Sequence, residues 1–188
     1  CCVMVAINVY EIEEDVFSES PFGESQPEVK QGLAYLQEWS LENRTGISDQ
    51  AFLDLQADYM RLFVGVGKVL APIWESVYFN DSRMVFQEET LQVRNWFRRY
   101  KLESEKLHQE PDDHLGLELA FIAHLAQLGL QAWEQNDTKA FQETLDAQRD
   151  FLNEHLLRWA FLWAKLVNES SRTKFYLGIS HLVCGALL

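Results

Sequence analysis

The chain has 188 residues, room for one domain or two small helical halves sharing a core, and its 47% hydrophobic and 24% charged content excludes disorder. A net charge of −13, with no Lys or Arg before Lys30, sets the surface field against nucleic acid and anionic lipid and in favour of a cationic partner. Cys1, Cys2 and the distant Cys184 supply neither a disulfide framework nor a C-x-x-C pair, so a reducing compartment is expected.

Taken in chain order, the first ten residues are apolar without a basic n-region, and Val5, Val9, Ile12 and Val16 recur at helical spacing beside Glu11, Glu13, Glu14 and Asp15. Two prolines and a glycine in 18–27 end that first helix. A second helix is expected over 28–43 with Val29, Leu33, Leu36 and Trp39 inward. A third is expected over 48–64 with Phe52, Leu55, Tyr59, Leu62 and Phe63 inward and Ser48 as N-cap.

Between Gly65 and Phe86 the helical period vanishes, because Gly65, Gly67 and Pro72 interrupt an apolar run, which predicts a long ordered loop of the kind that carries function. A fourth helix follows over 88–107, burying Leu91, Trp96 or Phe97, and Leu102, with Arg94, Arg98, Arg99 and Lys101 on its wet side. A hinge at Pro111 leads into a helix over 115–134 that is apolar on most sides and therefore central. Helical pattern returns over 137–169, as one helix or two, offering Phe141, Leu145, Phe151, Leu152, Leu156, Trp159 and Trp163 to the core. A last helix covers 172–188, a tail too short to span a bilayer and interrupted by His181. The expected fold is therefore all-α, a single globular bundle of seven or eight helices. Its N-terminal part, 1–109, and its hinge motif and C-terminal part, 110–188, form one compact unit, neither exported nor inserted in a membrane.

Catalytic machinery is not visible. Gly65-Val66-Gly67-Lys68 lacks the first Gly and the final Ser or Thr of a phosphate loop, those positions being Leu62 and Val69. Only Glu105 to His108 has the Glu-x-x-His spacing of a helical metal site. Glu110, His114 and Glu118 cannot share one helical face across Pro111, so neither metal nor catalytic residues are assigned. His124 reads as a hydrogen-bonded core histidine. Glu110-Pro111-Asp112-Asp113-His114 puts more acids at a helix start than an N-cap needs, which marks a functional turn.

Three segments carry a resemblance: Tyr59-Met60-Arg61-Leu62-Phe63-Val64-Gly65, Ala71-Pro72-Ile73-Trp74-Glu75-Ser76-Val77-Tyr78, and Glu110-Pro111-Asp112-Asp113-His114-Leu115-Gly116-Leu117-Glu118-Leu119. Together they resemble the TorD/DmsD family of redox-enzyme maturation chaperones over about residues 30–180. Phe151-Leu152, His155-Leu156, Trp159 and Phe175-Tyr176 are similar to weaker family positions. The resemblance implies a cytoplasmic, non-enzymatic, all-helical protein without a cofactor of its own. Its partners would be a precursor of a molybdoenzyme catalytic subunit, of the dimethyl sulfoxide or trimethylamine oxide reductase type, and that precursor's twin-arginine signal peptide. It would hold the client until molybdopterin guanine dinucleotide is loaded, as a monomer or a helix-swapped homodimer. Carried over by motif, the leader-binding residues would be Tyr59, Leu62, Phe63, Pro72, Trp74, Glu75, Tyr78, Asp113 and His114, with Glu110 and Pro111 shaping the turn. On this reading Asp113, helped by Glu110, meets the arginines. The alternatives left by the residues themselves are a metal-dependent helical hydrolase built on carboxylates and histidines, and a helical adaptor with an unrelated partner.

Overall fold

In the computed structural model, residues 26–44, 46–65, 68–103 and 110–188 are described. The expected first helix, Cys1 and Cys2, Val66, Gly67, Glu105 and His108 lie outside them. Every regular element among the described residues is helical: α1 (Pro27–Glu42), α2 (Asp49–Tyr59), α3 (Glu88–Arg99), α4 (Leu115–Glu134), α5 (Thr138–Phe151), α6 (Leu157–Ser170) and α7 (Lys174–Leu187). A wider helical turn, Leu152–Leu156, joins α5 to α6 without a break, so the described residues hold six helical stretches, and the first of the seven or eight expected helices lies outside them.

Contacts group the chain into two compact units. One unit is Cys1–Pro72 with Leu162–Leu188, and the other is Ile73–Phe161. In the first, α1 packs on α7 through glycines. A methyl group at Gly32 would stand 2.9 Å from the Gly178 carbonyl oxygen, so only glycine permits this approach of the two backbones. Val29, Leu36 and Trp39 are buried from α1, and the Trp39 and Phe175 rings stand 5.1 Å apart. Ser48 caps α2 by accepting the Ala51 N–H at 3.1 Å. Beyond α2 the chain widens into a π turn, Met60–Val64, which places Leu62 and Phe63 in the interior.

Asp58 organises the start of α7, whose own N-cap residue Thr173 makes no side-chain cap. Its carboxylate accepts the Arg172 and Thr173 N–H groups, each at 2.9 Å, the Ser171 and Thr173 hydroxyls at 3.0 and 2.9 Å, and the Arg61 guanidinium at 2.6 Å. Burial pushes this carboxyl up, but the bonds from Arg172, Arg61, Thr173 and Ser171 outweigh it and hold the group below its ordinary value.

In the second unit an aromatic core forms around Phe121 of α4. Its ring meets Phe151 at 4.7 Å, Phe97 at 5.1 Å and Trp96 at 6.3 Å. The helix expected to reach residue 107 stops at Arg99, because Lys101 takes a left-handed conformation (φ 58). Its N–H and that of Leu102 then bond back to Arg98 and Phe97, the ending usually built with glycine. Asn136 (φ 57) ends α4 in the same manner, and Asp137 at once caps α5 by accepting the Ala140 N–H. The inward face of α3 is Thr90, Val93, Trp96 and Phe97, which leaves Leu91 exposed, against expectation. Leu145 is also exposed, and His124 is half-buried. By length and composition α4 could cross a membrane, yet it buries Leu115, Glu118, Phe121, Leu125, Gly129 and Ala132.

Candidate functional site

The non-helical chain after α2 and the acidic turn before α4 meet in the second unit. The Glu75 N–H donates to the Asp113 carbonyl and the Leu115 N–H to the Ile73 carbonyl, both at 2.9 Å, so residues 73–75 and 113–115 pair antiparallel about Trp74 and His114. One bridge has no alternating pattern, which is why the sequence predicts a loop here. The Trp74 ring meets the His114 ring edge-on at 6.1 Å, and its indole N–H donates to a Glu110 carboxylate oxygen at 3.2 Å. All three side chains are half-buried, so an aromatic surface, an imidazole and an acid share one accessible corner.

Beneath it, the acids of the turn diverge. Pro111, Asp112 and Asp113 are buried. Asp113 is 0% exposed, accepting the Ser76 N–H at 2.7 Å through one oxygen and the Thr90 hydroxyl at 2.6 Å through the other. That geometry does not fit the direct arginine contact expected of Asp113; the carboxylate pins residues 74–76 and α3 to the turn. Asp112 is bound by Arg94, one of the arginines read as a solvated face, at 2.7 Å. His114 caps α4, its Nδ1 accepting the Gly116 N–H at 3.0 Å. Burial lowers the His114 pKa against the opposing pull of Glu110 and Asp113, favouring the neutral ring that this cap requires.

Glu75 points inward rather than toward the corner. Its carboxylate meets His155 Nδ1 at 2.8 Å and lies 3.8 Å from the Arg158 guanidinium. Burial raises its pKa, while the bond and charge of His155 and the charge of Arg158 act against that rise. Glu118, also 0% exposed, accepts the Trp159 indole N–H at 3.2 Å. Burial, then the charges of Glu75 and Asp113, push Glu118 well above the carboxylate range and favour its neutral acid form. Tyr78 is half-buried with its ring 5.2 Å from Trp159, and burial raises its pKa.

Tyr59, Leu62, Phe63 and Pro72 belong to the first unit. Leu62 and Phe63 are 0% and 5% exposed, Tyr59 is half-buried, and Phe63 packs among the rings of Tyr59, Tyr176 and Trp163. The leader-binding role expected of Leu62 and Phe63 thus falls on enclosed side chains, Phe63 within an aromatic cluster. Among the described residues no three His, Cys, Asp or Glu side chains are placed to hold a metal.

Residues 23–165 match the family described as the nitrate reductase delta subunit. The chain belongs to that family. Its curated relatives in this family include the chaperone protein TorD of Aliivibrio salmonicida, 29% identical over 141 residues (75% of this chain, 64% of the relative). The TorD of Aliivibrio fischeri is 27% identical over 135 residues (72% and 61%). The probable Tat proofreading chaperone DmsD of Haemophilus influenzae is 25% identical over 161 residues (81% and 72%). The chain thus spans less than two thirds of the length of the two TorD relatives. Within this family member, the motif acids sort by burial: Glu110 is half-buried against Trp74, while Asp112 and Asp113 are enclosed and serve the fold. Thr90, Arg94 and Ser76, which hold those acids, carry no signal in the sequence because their contacts are remote in the chain.

Proposed function

We propose that this protein is a cytoplasmic chaperone, without catalysis of its own, that binds the twin-arginine leader and body of a molybdenum reductase precursor until its cofactor is in place and before export. Membership of a family that includes TorD and DmsD chaperones supports the reading. One geometric observation carries it to a site: the half-buried Trp74 indole bound to Glu110 at 3.2 Å. A carboxylate can accept both prongs of a guanidinium, and an indole face attracts the same cation, so the pair suits arginine better than lysine. The arginine-binding role moves from Asp113 to Glu110, with Trp74 and His114 forming the wall and Asp113, Pro111 and Glu75 holding the wall in place.

Isothermal titration with a synthetic leader tests this. Glu110→Gln should lose about 1–3 kcal/mol of binding, and exchange of the leader's arginine pair for lysines should weaken wild type while leaving the variant nearly unaffected. Equal affinities for wild type and a folded Glu110→Gln protein would remove the corner from the binding site.

A further inference from the structure

Residues 79–86 follow directly on the corner and carry an unusual combination of strain and apolar exposure. Phe79, Met84 and Phe86 are 38%, 54% and 46% exposed, and Leu91 on the adjoining helix is 55% exposed. Arg83 and Phe86 both adopt left-handed backbone conformations (φ 51 and 61), which is costly for a bulky aromatic. A chain that merely had to connect the corner to α3 would place a glycine there and turn the aromatic inward. Here the strained residue presents its ring to water instead.

The segment is also braced. Asn80 accepts the Met84 N–H and donates to the Met84 carbonyl, both at 2.9 Å, and donates to the Ser76 carbonyl at 2.5 Å. Ser76 in turn is the residue whose N–H is held by Asp113, so two side chains tie the apolar display to the turn that carries Glu110. Phe79 is covered on one side by the Arg158 guanidinium, 4.1 Å from its ring centre. The charges along 79–89 are Asp81, Glu88 and Glu89 against Arg83, and Glu88 and Glu89 form the first turn of α3. Exposed apolar side chains tied through Asn80 and Ser76 to the turn of the acid-aromatic corner suit the apolar end of a segment that is cationic at one end and apolar at the other.

We propose that Phe79, Met84 and Phe86 form a second subsite that receives the apolar stretch of the client leader, while the Trp74–Glu110 corner receives its arginines. This rests on the reading of the corner as leader-binding. It makes the strain at Phe86 part of the binding surface.

The test uses the full chain and three fluorescent synthetic peptides: two arginines followed by an alanine–leucine stretch, the same with the stretch replaced by glycine and serine, and the same with the arginines replaced by glutamines. Binding is followed by fluorescence anisotropy and stability by thermal unfolding. Phe86→Gly relieves the left-handed strain, so it should hold or raise the melting temperature while weakening the first and third peptides about tenfold. It should leave the glycine–serine peptide unchanged. Met84→Ser, at an exposed side chain whose backbone bonds are retained, should act in the same direction. Glu110→Gln should show the opposite selectivity, weakening only the peptides that carry arginine. If wild type binds the first peptide and Phe86→Gly binds it equally well, the subsite is overturned while the corner stands. If wild type binds none of the three, the corner and the subsite fall together.

Discussion

Asp58 in the first unit and Glu118 in the second are both enclosed carboxylates, 2% and 0% exposed, and their surroundings drive them in opposite directions. Asp58 collects donors from the backbone and side chains around the start of α7, and its pKa falls despite burial. Glu118 has the Trp159 indole as its hydrogen-bond donor, faces the charges of Glu75 and Asp113, and is driven up. Burial alone therefore does not fix the charge of an acid; the number of donors turned toward it does. The first unit uses its acid as an anion that knits a helix start, whereas the second encloses acids, Glu75 and Glu118, that burial drives toward the neutral form.

The largest effect is expected at Asp58. Removal of its carboxylate takes the acceptor from the N–H groups of Arg172 and Thr173, the Ser171 and Thr173 hydroxyls and the Arg61 guanidinium, so Asp58→Ala should cost about 3–5 kcal/mol in a denaturant titration. A loss below about 1 kcal/mol would mean that the donors find other partners. Next comes the glycine contact of the same unit. Gly32→Ala forces a methyl group against the Gly178 carbonyl and should cost about 1–3 kcal/mol, with amide exchange accelerated in α1 and α7.

Acidity sharpens the contrast between the two carboxylates. Because the Asp58 pKa is depressed, its stabilisation is present above the unfolded value of 3.8 and is lost as pH falls through the folded one. Glu118 is raised, so its stabilisation is present below the unfolded value of 4.5 and is lost as pH rises through the folded one. Glu118→Gln keeps the oxygen that accepts from Trp159 and cannot ionise, and should gain about 1 kcal/mol over wild type at neutral pH with the gain vanishing in acid. A constant difference across pH, read from urea midpoints, would remove ionisation of Glu118 from the comparison.

His114 should give the smallest effect. Its depressed pKa means that stability is present above the unfolded value of 6.5 and declines as pH falls below it, because the protonated ring can no longer accept the Gly116 N–H. His114→Asn retains a capping oxygen and should flatten that decline, at a cost or gain within about 0.5 kcal/mol at neutral pH.

Much of the fold was legible in the sequence because helices announce themselves by period. The expected span 115–134 coincides with α4, and Ser48 caps α2 as expected. Helix ends at Lys101 and Asn136 were less legible, since left-handed endings without glycine leave little mark. The motif turn was found from its excess of acids, but the division of labour inside it depends on burial. Asp113 and Glu110 are the same chemistry three residues apart, and only the fold sends one inward to Ser76 and Thr90 and the other outward to Trp74. The 73–75 pairing with 113–115 joins segments too distant and too short for any periodicity to reveal.

The most direct measurement of the central claim observes the indole N–H of Trp74 by two-dimensional NMR, assigned through Trp74→Phe, during titration with a peptide bearing two arginines and an apolar stretch. Binding at the corner predicts that this resonance moves and saturates, that it moves less with a lysine pair, and that in Glu110→Gln it needs at least about tenfold more peptide to move as far. A peptide that binds with full affinity while the Trp74 resonance remains fixed would contradict the assignment of the leader's arginines to Trp74 and Glu110.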